Sequence, residues 1–209
     1  MNLEWMLIRG TGLVAYLLLA ASTIWGLALS SKLFVRLVKA KPLTWLHEGL
    51  AVGALLATAA HLFFLWSDDF IEFGPRELFV PGASAWEPLA VAFGVMAFYA
   101  ALIVSASFYV KKWIGQAAWR TMHFLGFGTF AAAAIHGVMA GTDTQQPVVL
   151  GMYVATVAIV VLLLVVRVGQ EMAAPTPSGR AVRSDLALRS DGGDLAPVVD
   201  PVGASVAES

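Results

Sequence analysis

The sequence contains no cysteine. That excludes a disulfide framework, a thiolate metal site and a cysteine-held iron–sulfur cluster. Charge is also scarce, at 13% of residues, about half of what a soluble domain carries. Thirteen basic residues against fourteen acidic ones leave a net charge of −1, so there is no excess of positive charge. A nucleic-acid binder would need a basic patch or stripe. What fills the 209 residues instead is apolar, 59% by count. This composition excludes an ordinary soluble enzyme and a disordered hub. It leaves room for one membrane bundle, with no soluble domain of ~100 residues or more beside it.

A bilayer core of ~30 Å needs ~20 apolar residues per helix. Five stretches qualify: about Gly10 to Ser30, Leu43 to Trp66, Pro88 to Val110, Ala118 to Gly141 and Pro147 to Val166. Pro42, Pro88 and Pro147 stand at helix starts, where a missing N–H costs little. The first stretch is followed by Lys32, Arg36, Lys39 and Lys41. Such charge marks a retained helix end rather than a cleaved signal peptide. The expected fold is an all-α integral membrane bundle of five transmembrane helices over residues 1–172. Residues 173–209 are rich in Ala, Pro, Ser, Gly, Asp and Arg, and read as a disordered cytoplasmic tail.

Lys and Arg set the orientation. Lys32, Arg36, Lys39, Lys41, Lys111, Lys112, Arg120 and Arg167 fall on one side, with Arg180, Arg183 and Arg189 of the tail. Arg9 and Arg76 alone fall on the other. The N-terminus is therefore expected outside and the C-terminus in the cytoplasm, in a multi-pass protein of the plasma membrane. The outer loop 67–87 carries Asp68, Asp69, Glu72, Glu77 and Glu87. It reads either as a plain solvated loop or as a place to gather ferric iron or dock a partner. Trp66, Trp86, Trp113 and Trp119 sit at expected interfaces.

The four histidines, His47, His61, His123 and His136, all fall inside spans. An ionisable group at membrane depth is a functional hypothesis by default. His47 and His61 are fourteen residues apart on the second span, and His123 and His136 thirteen apart on the fourth. At ~1.5 Å per residue each pair is separated by roughly 20 Å. The second and fourth spans run in the same direction. His47 and His123 then share one depth, and His61 and His136 the other. Two hemes fit, each held by one histidine from each helix, since histidine is a common axial ligand of heme iron. A zinc or non-heme iron site would need three or four ligands at one point. Thirteen residues miss the same helix face by ~140° at ~100° per residue. The second pair therefore calls for a wound turn near Gly126, Gly128 or Gly137, or for hemes rotated relative to each other.

This double-histidine pattern resembles the ferric reductase-like transmembrane domain, whose family includes ferric reductases, NADPH oxidases and the heme-binding subunit of the bacterial methionine sulfoxide reductase system. The likeness covers roughly residues 43–143. Trp119-Arg120-Thr121-Met122-His123 is similar to the start of the family's second histidine helix, and Gly137, Ala140, Gly141, Thr142 and Asp143 to its exit. The resemblance implies that His47, His61, His123 and His136 are the axial ligands to the iron of two b-type hemes. It also implies an oxidoreductase component; the oxidases and eukaryotic reductases continue into flavin- and nicotinamide-binding domains, which the short, polar tail here is not expected to supply. The donor would be a separate flavoprotein reductase or quinol. The external acceptor is left open among ferric iron, oxygen and a periplasmic oxidoreductase.

Arg120 precedes His123 by three residues and shares its helix face. It reads either as a clamp for an anionic heme propionate or as a positive-inside anchor. Lys111, Lys112 and Arg36 read as anchors. Glu48 places an acid beside His47. Phe63, Phe64, Phe124, Phe127 and Phe130 neighbour the histidines and would pack the bundle, face lipid or lie on a porphyrin. The expected function is transmembrane electron transfer through two stacked hemes. Two alternatives remain: a non-redox multi-pass protein (transporter or assembly factor) and a quinone-reactive heme anchor of a larger complex.

Overall fold

The computed structural model describes residues 3–31, 40–68 and 73–173, with side chains from residue 44 onward in the second stretch. Lys32, Arg36 and Lys39, Asp69 and Glu72, and the expected tail from residue 174 with Arg180, Arg183 and Arg189 lie outside the described residues. The chain divides into two units, Met1–Gly169 and Gln170–Ser209, and the packing below belongs to the first.

Every regular element among the described residues is helical: α1 (Leu3–Ser30), α2 (Ala40–Ser67), the short α3 (Pro75–Phe79), α4 (Pro88–Ala140) and α5 (Pro147–Met172). Four of them are long and apolar enough to cross a membrane. The protein is an all-α, multi-pass membrane bundle. Pro88 and Pro147 open their helices, where a proline gives up no intrahelical bond.

The 53 residues of α4 would make a straight rod far longer than a bilayer core is thick. It is not a straight rod. Gly115, at φ 82° and ψ 163°, is the non-helical residue inside it. That backbone region is open in practice to glycine alone. The arms 88–114 and 116–140 fold back on each other there. The proof is His136 Nδ1, which lies 2.8 Å from the carbonyl oxygen of Ala90, 46 residues away in sequence. In a straight helix these groups would be ~70 Å apart. Five crossings therefore come from four helices. The expected connection over 111–117 is replaced by helix on both sides of one glycine.

The first helix also begins earlier than Gly10. Arg9 is not a loop charge but part of α1, and its guanidinium pairs with Asp143 in the turn before α5. The ion pair lets a basic residue sit inside the helix and ties the start of α1 to the end of α4.

α1 and α2 pair antiparallel along their lengths. Tyr16, Ala20 and Leu27 of α1 form the core with Phe130 and Ala134 of the second arm and Tyr153 and Val160 of α5. The Tyr16 and Tyr153 rings lie 4.5 Å apart. The Tyr16 hydroxyl bonds Thr156 Oγ1 at 2.6 Å, which satisfies a polar group among apolar neighbours. Phe73 and Leu78, between α2 and α4, close over Val91 and Val95. Within that segment Gly74 N–H donates to Glu77 Oε2 at 3.0 Å, so one of the loop acids serves as a helix cap. Trp45, Trp66 and Trp113 are exposed, as rings that meet the lipid interface would be.

Candidate functional site

The structure brings the four histidines together as two pairs. His61 of α2 faces His136 of the second arm, with ring centroids 6.5 Å apart and planes at 72°. His47 of α2 faces His123 of the same arm, with centroids 6.0 Å apart and planes at 75°.

Three of the four rings are held in the same way. His61 Nδ1 lies 2.9 Å from the carbonyl oxygen of Ile8. His47 Nδ1 lies 3.0 Å from the carbonyl oxygen of Ser22, with Ser22 Oγ at 3.2 Å. His136 Nδ1 uses the carbonyl oxygen of Ala90. A carbonyl can only accept, so each Nδ1 carries the proton and donates. Nε2 is then left with its lone pair, the tautomer a metal-binding imidazole needs.

Each seat includes a glycine one turn beyond the carbonyl. A Cβ at Gly12 would lie 3.2 Å from the His61 ring, one at Gly26 3.0 Å from His47, and one at Gly94 2.8 Å from His136. The missing side chains let the imidazoles reach a neighbouring helix backbone. The sequence reading does not single out these glycines. Their signal lies in the spacing itself, since Gly12 and Gly26 are fourteen apart, as His47 and His61 are.

His123 is held differently. Its ring stacks on Trp119, one turn earlier, at 5.1 Å and 22°. Lys111 Nζ stands 3.9 Å from the centroid of the Trp119 ring. Lys111 and Trp119 are equidistant from Gly115 in sequence, so the fold-back sets them opposite each other.

A metal–imidazole bond is about 2.0 Å. Adding the distance from Nε2 to its ring centre on both sides puts two imidazoles across one metal at about 6.4 Å between centroids. The observed 6.5 Å and 6.0 Å lie close to that value. Among the described residues no three of His, Cys, Asp and Glu gather as a metal site. Each pair thus offers two protein nitrogens, and a macrocycle could fill the remaining four positions of an octahedral iron. The donor set fits heme.

The other candidates separate. Arg120 and Glu48 are exposed beside the His47–His123 end. Phe130 is buried in the core against Tyr16, and Phe127 packs on the same cluster. Phe63 and Phe124 are exposed. The expected wound turn in the second arm is absent, since residues 116–140 are helical throughout. Gly137 instead makes room for Tyr153, whose hydroxyl would collide with a Cβ there.

Comparison with family models, with curated proteins and with solved structures finds no match.

Proposed function

We propose that the chain is a membrane cytochrome of b type, related to the ferric reductase-like membrane domain, that carries electrons across the bilayer. The observation that carries this reading is the pairing of four histidines at two depths, with ring centroids 6.0 and 6.5 Å apart and three Nδ1 atoms engaged by backbone carbonyls. His47 with His123 and His61 with His136 would hold one heme each. Heme supplies one-electron redox chemistry at each depth.

The chain's own residues do the rest. The Ile8, Ser22 and Ala90 carbonyls fix tautomer and ring orientation and raise the basicity of Nε2. Gly12, Gly26 and Gly94 let the rings reach those carbonyls. Along α2 the pairs are roughly 20 Å apart, so the two sites together span most of the hydrocarbon core. His47 with His123, and His61 with His136, would each give a heme two protein nitrogens, and the heme would supply electron-transfer chemistry there. The basic end, with Lys111, Lys112 and Arg120, faces the cytoplasm by the positive-inside rule. The electron donor would be a separate flavoprotein reductase or quinol on that side, and the acceptor would lie on the other side of the plasma membrane.

One observation favours a rival. Histidines that donate to carbonyls of neighbouring helices also serve as plain interhelical glue, as in a non-redox transporter or assembly factor. The deciding measurement is a reduced-minus-oxidised visible spectrum of the purified protein expressed with heme supplied, with heme counted per chain. Two low-spin b hemes, one of them lost in His61→Ala or His136→Ala, support the cytochrome. A folded, colourless protein overturns it.

A further inference from the structure

The Trp119 indole Nε1 is buried and has no hydrogen-bond partner among the described residues. Buried donors without an acceptor are rare and costly, and each calls for an explanation. This one has a setting. Its ring stacks on the His123 imidazole at 5.1 Å, and Lys111 Nζ stands 3.9 Å from its centroid. One indole thus carries an unsatisfied N–H at its edge and an ammonium over its face, one helical turn before a proposed heme ligand. The acceptor suited to both is an anionic oxygen.

We infer that Trp119 and Lys111 seat a propionate carboxylate of the porphyrin held between His47 and His123. This rests on the heme reading and assigns that heme a second point of attachment. The fold-back at Gly115 builds the seat, because it sets Lys111 of the first arm opposite Trp119 of the second. The indole N–H supplies direction and the ammonium supplies charge. Arg120, exposed on the next position of the helix, is not required for it. The belt role read for Trp119 and the anchor role read for Lys111 give way to a joint role in holding the cofactor. Neither side chain touches the iron, so both are positioning residues.

The test uses the full-length protein loaded in parallel with hemin and with hemin dimethyl ester, whose propionates are uncharged. Loss of each to excess apomyoglobin is followed, and the phase belonging to the inner site is identified as the one that persists in His136→Ala. The wild-type protein is expected to lose the ester from that site about tenfold faster than hemin. Trp119→Phe keeps the stacking ring without the donor, and Lys111→Gln keeps the chain length without the charge. Each should speed hemin loss from that site severalfold while leaving ester loss unchanged. Lys112→Gln, whose ammonium lies over Trp113 instead, should change neither.

Equal loss of hemin and ester from the wild-type protein overturns the seat, and so does a preference that survives both substitutions. A preference abolished by Arg120→Gln alone also overturns it and gives the role to that arginine. A wild-type protein that binds neither porphyrin overturns the heme reading itself, and the two failures are thus told apart.

Discussion

Gly94 lies directly against His136: a Cβ built on it would come within 2.8 Å of Nδ1, the atom that donates to the Ala90 carbonyl. The ring can hold its orientation because position 94 has no side chain. Gly94→Ala should push the imidazole off its acceptor and cost about 1–3 kcal/mol, as overpacking does. Heme content per chain should fall towards one, with the site at His47 and His123 retained. Ser22→Ala is the contrasting change. It removes a hydroxyl but keeps the carbonyl that His47 uses, and should leave both hemes in place.

Gly115 should tolerate no other residue. Its φ of 82° with ψ of 163° is closed to side chains. Gly115→Ala is expected to cost about 1–3 kcal/mol, read as a lower unfolding temperature in detergent. Because the bend also sets Lys111 against Trp119, the inner heme should be the first to be lost.

Gly137 and Tyr153 should behave as a coupled pair. A Cβ at 137 meets the Tyr153 hydroxyl and lies 2.8 Å from Cζ. Gly137→Ala should destabilise by about 1–3 kcal/mol. Tyr153→Phe removes the hydroxyl, so the double variant should recover part of that loss. A thermal-unfolding cycle over the four proteins measures the coupling, and strictly additive effects would refute the contact.

The Arg9–Asp143 pair is about three-quarters buried on each side, with side-chain exposures of 28% and 23%. It should therefore be worth about 1 kcal/mol, at the upper end for a pair in contact with solvent. Arg9→Gln and Asp143→Asn should each lower stability by that order, and the double variant by little more. The Arg9 backbone follows Ile8, whose carbonyl seats His61, so both changes should loosen the outer heme more than the inner one. High salt should narrow the difference between wild type and variants.

Much of this architecture is legible in the sequence. Five apolar stretches and four histidines at matching depths give the bundle, and the pairing of His47 with His123 and His61 with His136 is as their spacing suggests. The seats are less visible. Glycine is common in membrane helices, so Gly12, Gly26 and Gly94 stand out only once antiparallel partners are assigned. The equal spacing of Gly12–Gly26 and His47–His61 is the trace they leave. The expected connection at 111–117 differs because a single glycine in a region barred to other residues can reverse a helix without a loop. The angular mismatch of His123 and His136 suggested either a wound turn or hemes rotated relative to each other. Residues 116–140 are helical without interruption, which leaves the other reading, two hemes rotated relative to each other.

The two hairpins also say something about assembly. His47 and His61 find their carbonyls on α1, and His136 finds its own on the first arm of α4. These contacts link neighbouring segments of the chain, which close sooner than distant ones. Each hairpin can thus insert and aim its histidines as it leaves the ribosome, before α5 exists. A cofactor of the proposed kind would then meet two pairs in which three of the four imidazoles are already aimed.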